Sequence, residues 1–429
     1  MKPTVRRLAR DALVRIEGGA YSHLALPAML RESHLSARDR AQVTDLVYRT
    51  LRGQRRLDDL IGRASTRRIA RMDPPVRAAL RLGAHQLLSG VPPHAAVGET
   101  VSAAPARAQG FVNGVLRALT RLGPPWPEPE SEAVALSYPD WLADRLRADL
   151  GPERATAVMV AGNEPGALTL RPNPGRTEVD ALEAALREAG AEVERGRLVP
   201  SALVVRGGGD PARLLPVADG RATPQDQGSQ AVVAYLDPQP GDRVLDIAAA
   251  PGGKATGIAE RVGREGRVLA LDRNAGRLGL VGRASSRLGL DTVDLLVADG
   301  RHLPVDGAAF DRVLLDAPCS GMGVLARRAE SRWRLEPDSI SELAGLQRDL
   351  LLEAARAVRP GGVLVYSVCT LTAEETRAVV DATVARRPDL VPMAPPAPPW
   401  EPSGSGALLL PQAAGTDGMY VAGLRRAAG

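Results

Sequence analysis

The sequence predicts three domains: an all-helical bundle, a small α+β domain and an α/β domain built on a doubly wound parallel sheet. From Val5 to about Leu122, apolar residues recur at helical spacing and no alternating strand pattern appears. The Pro-rich segment GPPWPEPES, which begins at Gly123, has the composition of a linker. After residue 220, strands and helices alternate, which is typical of a parallel sheet. We therefore place the domains at residues 1–125, 131–220 and 221–429.

The helical domain carries the positive charge of the chain. Residues 1–125 contain 21 Lys and Arg against 9 Asp and Glu, whereas the remaining residues contain 34 against 41. Any single arginine is explained well enough as part of an exposed helix face. The asymmetry between the two parts is harder to explain in that way, and it indicates that the N-terminal domain binds a polyanion.

The middle domain offers no recognisable chemistry. Residues 131–220 predict two helices, a strand in ALTLRPN and a further helix in EVDALEAALREAG. We interpret this part as a small adaptor that positions the substrate.

No membrane or export signal is visible in the chain. Its start is basic but lacks the apolar segment of a signal peptide, and no apolar run reaches membrane-spanning length. We expect a cytoplasmic monomer with no membrane partner.

The α/β domain shows five apolar segments of strand length, and helical patterns follow or separate them. A sixth segment, MYVAGLRR at 419–426, is interpreted as a last strand at the sheet edge, and PPAPPWEPSGSG at 395–406 before it as a loop. The strands are predicted at 243–248, 267–272, 293–298, 312–317 and 361–368, and the helices at 253–262, 275–289, 340–358 and 372–387.

The turn after the first of these strands predicts a ligand site. Small residues allow a ligand to approach the backbone, and the helix that begins near Gly252 presents N–H groups to an anion. Asp272 ends the second strand, where an acidic residue holds a ribose diol, and Asp299 follows the third strand, where it can contact an adenine. The turn comprises Ala248, Ala249, Ala250, Pro251, Gly252, Gly253 and Lys254.

The type of ligand follows from what this turn lacks. It has neither a Walker A sequence nor the G-x-G-x-x-G spacing of dinucleotide sites. A nucleoside with a small anionic tail fits better, and S-adenosylmethionine is such a molecule. Structural glycines and helix-capping aspartates would explain each feature separately, but they explain the ordered set poorly. Lysine also occurs only at Lys2 and Lys254 in this arginine-rich chain, so a compact ammonium is expected to be needed at 254.

The two cysteines of the chain follow two predicted strands. Cys319 lies in LLDAPCSGMG and Cys369 in VLVYSVCTLT. They can be interpreted as small buried apolar residues, but the carboxyl ends of parallel strands are where ligands and chemistry gather. Cytosine C5 becomes nucleophilic after a thiolate adds at C6, and a second base then removes the C5 proton. A carboxyl group such as Asp316 can bind the edge of the base. No metal is required.

Taken together, these motifs resemble the Sun (Fmu) family of RNA cytosine-5 methyltransferases. The resemblance rests on DIAAAPGGK, DAPCSG, RWRLEPDSISELAGLQRDLL and YSVCTLTAEE. The N-terminal part is similar to NusB-like RNA-binding domains through DRAQVTDLVYRTLRGQRRLD, LRLGAHQLL, PPHAAVGETV and FVNGVLR, and the middle matches through YPDWL, LTLRPN and QDQGSQAV. The combination resembles the bacterial 16S rRNA (cytosine-C5) methyltransferase branch, which implies a class I methyltransferase fold and 16S rRNA as substrate.

The resemblance also implies roles for residues. It places S-adenosylmethionine against Ala248–Lys254, with Asp272 on the ribose, Asp299 near the adenine and Asp316 lining the site. Cys369 would be the nucleophile and Cys319 the group that releases the product. Local chemistry alone leaves these two roles open, because DNA cytosine methyltransferases use a Pro-Cys thiol as nucleophile and Cys319 has that context.

The sequence departs from the family pattern at a few positions. Ala248 replaces a cysteine, Val368 replaces the threonine before the nucleophile, and Thr376 replaces an asparagine. Met419 and Tyr420 stand where paired phenylalanines are common. The changes at Val368 and Thr376 bear on how Cys369 is positioned, and not on the class of reaction.

Two alternative functions remain open at this point. A tRNA cytosine-5 methyltransferase would use the same chemistry on another RNA. A non-catalytic RNA-binding or antitermination protein would keep the methyltransferase domain as a scaffold, although the retention of Lys254, Asp272, Asp316 and both cysteines argues against this.

Overall fold

The computed structural model describes residues 4–206 and 214–428. The chain divides into two compact units. The first consists of the chain up to Glu164 together with Leu325–Leu335, and the second consists of Pro165–Val324 together with the chain from Glu336 onward.

The first unit is helical throughout its described residues, as the sequence predicts. Several of its helices begin at residues typical of helix starts: Ser36 caps α3 through its side chain, and Pro74 and Pro93 open α5 and α6. The α-helices are α1 Val5–Glu17, α2 Ser22–Glu32, α3 Ala37–Arg52, α4 Gln54–Ala64, α5 Pro74–Leu88, α6 Pro93–Ala103, α7 Gln109–Thr120, α8 Glu132–Ala135, α9 Asp140–Leu150 and α10 Pro152–Ala161.

Helix α5 is central to the first unit. Ten of its fifteen residues are buried, so it is covered on nearly every side. One apolar cluster joins it to α1 and α3, and another joins it to α4 and α7. Gly83 permits the close approach of α7, since a Cβ at this position would lie 2.6 Å from a methyl carbon of Leu116.

The segment Leu325–Leu335, which is distant in sequence, completes the first unit. Arg332 in this segment is fully buried, and its guanidinium lies 4.0 Å from the ring centroid of Tyr138. It donates hydrogen bonds to the carbonyls of Ser137 and Gly162 and to the side chain of Asn163. Gly162 caps α10 and Ser137 lies just beyond α8, so these bonds satisfy buried carbonyls where the two helices have ended.

The second unit begins with a small antiparallel sheet. Its strands are ordered β2–β3–β1–β4, and α11 packs its apolar face against them. The elements are β1 Leu168–Pro172, α11 Val179–Glu188, β2 Glu192–Arg195, β3 Leu203–Arg206, α12 Leu215–Ala218 and β4 Ala222–Pro224.

The rest of the second unit is a larger mixed sheet with helices. Its main path runs β11–β12–β13–β9–β8–β5–β6–β7, and β10 pairs with β13. The elements are α13 Gln227–Leu236, β5 Arg243–Ile247, α14 Gly253–Val262, β6 Arg267–Asp272, α15 Ala275–Leu288, β7 Val293–Val297, β8 Phe310–Asp316, α16 Pro337–Ala357, β9 Val358–Val368, α17 Arg377–Arg386, β10 Leu390–Pro392, β11 Glu401–Ser403, β12 Gly406–Leu409, α18 Pro411–Ala414 and β13 Met419–Arg426.

The predicted parallel sheet is present. Strands β5, β6, β7, β8 and β9 pair in parallel, and their apolar residues form the core with α13 and α14. The strand order reverses between β5 and β8, and the crevice at the carboxyl ends beside such a reversal is where α/β sheets bind ligands. No helix in the described part of the chain has both the length and the apolar character needed to cross a membrane.

Three details of the prediction are wrong. Strand β13 is interior and not at the edge, because β12 and β10 pair with it on the side away from β9. The predicted loop at 395–406 contains β11, which pairs with β12 across a tight Gly404 turn. The helix predicted from residue 372 begins only at Arg377, because residues 373–376 form a turn. The side chains of Thr372 and Thr376 make hydrogen bonds within this turn, and Glu375 accepts one from the backbone of Ser320.

Candidate active site

The turn between β5 and α14 has a backbone shape that small residues permit. Ala248 and Gly252 have positive φ angles of 63° and 107°. A Cβ at Gly252 would lie 3.0 Å from the Cα of Val281 in α15, so this glycine also allows α14 and α15 to approach each other. Arg277 on α15 donates a 2.9 Å hydrogen bond to the carbonyl of Ala250 and so supports the turn.

Asp272 and Asp299 follow neighbouring strands but have different surroundings. Asp272 is 4% exposed, and its carboxylate accepts a 2.9 Å hydrogen bond from the backbone N–H of Asn274. Asp299 is partly exposed and forms a 2.6 Å ion pair with Arg301. The hydrogen bonds from Arg301 lower the pKa of Asp299 to about 2. Both carboxylates lie at the carboxyl ends of β6 and β7, as predicted.

Lys254 and Asp316 form an ion pair at the point where the strand order reverses. The ammonium of Lys254 lies 2.7 Å from one carboxylate oxygen of Asp316, and the hydroxyl of Ser367 donates to the other at 2.7 Å. Burial lowers the pKa of Lys254, but the Asp316 carboxylate outweighs this and the pKa is raised overall. The lone lysine of this domain therefore stays charged within a partly buried pair.

Asp246 is a buried carboxylate that the sequence analysis did not single out. It lies in β5 with 0% exposure, and neither carboxylate oxygen has a hydrogen-bond partner among the described residues. Burial raises its pKa well above the ordinary value, the charges of Asp316 and Asp272 raise it further, and Lys254 opposes them. An acidic residue within the apolar strand RVLDI was the available signal.

The two cysteines meet, as predicted. Cys319 and Cys369 lie beyond the ends of the neighbouring parallel strands β8 and β9, and their sulfur atoms are 3.3 Å apart. The hydrogen bond with Cys369 is the largest cause that raises the pKa of Cys319 well above its ordinary value, followed by burial and by the charge of Cys369. Deprotonation of one thiol therefore disfavours deprotonation of the other.

This arrangement is found in a chain with recognisable relatives. Family models match residues 3–121 (NusB family), 138–210 (RsmF/B-like ferredoxin-like domain) and 233–425 (16S rRNA methyltransferase RsmB/F). The ribosomal RNA small subunit methyltransferase B of Thermus thermophilus is 38% identical over 99% of this chain and 98% of its own length. This chain belongs to the RsmB/F family of 16S rRNA methyltransferases.

Other members and a solved structure agree with this assignment. A putative methyltransferase of Mycobacterium tuberculosis is 39% identical over 98% of this chain and 96% of its own length. The crystal structure of PH0851 matches with a TM-score of 0.87 and 27% identity, over 99% of both chains. The predicted family and fold are confirmed: a NusB-like helical domain, an α+β domain that proves ferredoxin-like, and a Rossmann-like methyltransferase domain.

The residues that depart from the family pattern are packed in this member. Val368 is buried at the end of β9, opposite Tyr420 of β13. The hydroxyl of Thr376 donates a 2.6 Å hydrogen bond to the carbonyl of Thr372, and Met419 is buried in the main core. Val368, Thr376 and Met419 therefore occupy defined positions, and Val368 directly precedes Cys369.

Proposed function

We propose that the protein transfers a methyl group from S-adenosylmethionine to C5 of a cytosine in 16S rRNA, through a covalent bond between Cys369 and C6. The observation that carries the proposal is the 3.3 Å separation of the two sulfur atoms, beside the Lys254–Asp316 pair. Two thiols beyond adjacent strand ends and a partly buried ion pair beside them supply a nucleophile, a base and a group for the edge of the pyrimidine.

The buried charges fit S-adenosylmethionine. The carboxylate of Asp246 has no hydrogen-bond partner among the described residues, and a buried polar group in that state is costly unless a ligand satisfies it. The ammonium of the methionine moiety is such a partner. Asp272 would hold the ribose, Asp299 the adenine, and the turn Ala248–Lys254 would lie along the cofactor. When bound, S-adenosylmethionine supplies an electrophilic methyl group.

The base is held by Lys254 and Asp316. The ion pair with Lys254 keeps the Asp316 carboxylate ionised. Asp316 then accepts a hydrogen bond from the exocyclic amino group of cytosine, and the ammonium of Lys254 donates one to N3. Withdrawal of electron density towards N3 makes C6 electrophilic. The thiolate of Cys369 then forms the S–C6 bond, and the electron pair of the C5–C6 double bond becomes available at C5.

Release reverses the addition once C5 carries the methyl group. The thiolate of Cys319 takes the C5 proton, the electron pair restores the C5–C6 double bond, the S–C6 bond breaks and Cys369 leaves as a thiolate. The hydrogen bond with Cys369 and the charge of Cys369 are, together with burial, causes that raise the pKa of Cys319. Bonding of Cys369 to C6 removes that charge, so Cys319, which is partly exposed, gives its thiol proton to solvent more readily before it takes the C5 proton.

The helical domain supplies affinity for RNA. Its excess of 12 positive charges, from 21 basic and 9 acidic residues in 1–125, favours the phosphate backbone. The target base must leave its stack to reach the thiols.

Bisulfite sequencing of RNA from a strain that lacks the gene tests the substrate. We expect one protected cytosine in 16S rRNA to lose its protection, and complementation by the gene to restore it. Loss confined to tRNA would identify a tRNA enzyme instead. If no cytosine changes and calorimetry detects no binding of S-adenosylmethionine, the protein is a scaffold and the proposal fails.

Substitution of each cysteine tests the mechanism. We expect Cys369→Ala to abolish both methylation and covalent attachment to RNA. Cys319→Ala should permit attack and methyl transfer but slow elimination, so that a protein–RNA complex survives on denaturing gels. The opposite pattern would exchange the two roles, and full activity of both variants would contradict the mechanism.

A further inference from the structure

Glu375 is a buried carboxylate between the two segments that carry the cysteines. It has 0% exposure. It accepts hydrogen bonds from the backbone N–H of Ser320 at 2.8 Å, from the hydroxyls of Thr372 at 3.0 Å and Thr370 at 3.1 Å, and from the side-chain amide of Gln347 at 3.1 Å. The hydroxyl of Ser320 donates to it as well. A carboxylate is suited to so many donors because both of its oxygens only accept.

These donors include the residues that directly follow both cysteines. Ser320 follows Cys319, and Thr370 follows Cys369. The hydroxyl oxygens of Ser320 and Thr370 are themselves 2.7 Å apart, so the two segments meet at the carboxylate. The two segments therefore touch at two places: at the sulfur atoms, and at the buried hydroxyl groups of the next residue in each segment.

The Cys319 segment depends on this contact more than the Cys369 segment does. Cys369 directly follows β9, whose last residue, Val368, is paired within the sheet. Cys319 lies three residues beyond the end of β8, in a loop. Within the loop, Ser320 makes two bonds to Glu375, and Gln347 donates a 2.8 Å bond to the carbonyl of Pro318. On either side of these residues, the backbone N–H groups of Ala317 and Gly323 donate to the carbonyls of Ser367 and Cys369, both at 2.9 Å.

We infer that Glu375 is a positioning residue for product release, because its carboxylate holds the Cys319 loop and so keeps the Cys319 sulfur where it takes the C5 proton. Glu375 itself contacts no reacting atom. This inference rests on the proposed function, since it presupposes that Cys319 is the releasing group.

Glu375→Gln tests the inference with little change of shape. The substitution replaces one accepting oxygen by an N–H₂ group, which faces groups that are themselves donors. The hydrogen bonds to that oxygen are therefore lost, and those to the other oxygen remain possible. With in vitro transcribed 16S rRNA, we expect single-turnover methyl transfer within about threefold of wild type. Release should slow about 10- to 100-fold, since small misplacements of a reacting group have effects of this size. A covalent complex should then accumulate on denaturing gels, as for Cys319→Ala.

Glu342→Gln is the matched control, because it makes the same change at an exposed position of α16. It should release product at the wild-type rate. If Glu375→Gln also releases at the wild-type rate while it binds S-adenosylmethionine normally, the inference is overturned. If folded Glu375→Gln has lower affinity for S-adenosylmethionine and slows methyl transfer and release together, Glu375 has a general structural role. That result also overturns the inference.

Ser320→Ala decides the matter if Glu375→Gln does not fold. It removes one hydroxyl and leaves the backbone N–H bond to Glu375 in place. We expect release to slow about three- to tenfold, and a wild-type rate would overturn the inference.

The proposed function has a separate test in 16S rRNA that contains 5-fluorocytosine, from which no C5 proton can be removed. If the wild-type protein forms no covalent complex with it, the proposed function fails, and the inference fails with it.

Discussion

Replacement of Asp246 by Asn should stabilise the ligand-free protein and weaken cofactor binding. The carboxylate has 0% exposure and no hydrogen-bond partner among the described residues. Burial and the charges of Asp316 and Asp272 all oppose its ionisation, and Lys254 favours it. Asn keeps the size of the side chain and removes the charge, so it isolates the electrostatic contribution.

The effect on stability depends on pH, and its sign follows from the raised pKa of Asp246. Between the ordinary pKa of an aspartate, about 3.9, and the raised value in the folded protein, the folded state binds more protons than the unfolded chain. Stability of the wild type therefore falls as pH rises through this window. At pH 8 we expect Asp246→Asn to be more stable by about 1–3 kcal/mol, because the charge is removed and each unit by which a pKa is raised corresponds to about 1.4 kcal/mol. The gain should shrink as the pH approaches 4.

The effect on the cofactor has the opposite sign. A charge-assisted hydrogen bond to the ammonium contributes about 1.5–3 kcal/mol, so the Kd for S-adenosylmethionine should rise roughly 10- to 150-fold. Thermal unfolding at several pH values measures stability, at about 2–4 °C for each kcal/mol in domains of 150–250 residues. Titration calorimetry at pH 8 measures affinity.

Asp294→Asn is the control, since Asp294 is exposed on β7, which lies two strands away from β5 in the sheet. It should change neither quantity by more than about 0.5 kcal/mol. If Asp246→Asn is less stable than wild type at pH 8, the ionised carboxylate is stabilised in the ligand-free protein by a hydrogen-bond partner outside the described residues. That result would contradict the reasoning about stability. If its affinity for S-adenosylmethionine equals that of wild type, Asp246 is not a cofactor ligand.

Two further predictions concern the cofactor and the RNA. Asp272→Ala should weaken S-adenosylmethionine binding by about 1.5–3 kcal/mol, because it removes a charge-assisted bond to the ribose; unchanged affinity in calorimetry would show that the second strand end is not the ribose site. Arg38, Arg68 and Arg117 are exposed residues of the helical domain. Their joint replacement by Gln should weaken RNA binding without changing cofactor affinity. It should also reduce the slope of log K against log salt concentration by up to about 0.7–0.9 for each lost phosphate contact. An unaltered slope in filter-binding titrations would place the RNA elsewhere.

The parallel sheet was predictable because its signals are local. Strand β6 has the predicted bounds, residues 267–272, and α14 has the predicted bounds, residues 253–262. Apolar runs of strand length alternate there with helical spacing, and small residues mark the first turn. The short β11 was missed because Glu401-Pro402-Ser403 has the composition of a loop, and pairing with β12 is a contact that no local pattern reveals.

The site was predictable where it lies at the ends of strands. Cys319, Cys369 and Asp316 come together because β8 and β9 are parallel neighbours, which the strand–helix alternation implies. Asp246 and Glu375 were missed for another reason. Asp246 matters because it is buried without hydrogen-bond donors among the described residues, and Glu375 because it is buried among several donors. Both situations arise from packing between segments that are distant in sequence.

The placement of Leu325–Leu335 within the helical unit has a consequence for synthesis on the ribosome. The first 164 residues emerge well before this segment, so the nascent helical unit lacks Arg332 and Glu330 for as long as the intervening chain takes to be made. During that interval the carbonyls of Ser137 and Gly162 and the backbone N–H of Ser22 lack the partners that they have in the finished protein. Domains usually fold one after another as they leave the ribosome. Here the first domain to appear is completed only after most of the second has been translated, so a truncated product that ends before residue 325 would leave the helical unit incomplete as well as the catalytic domain.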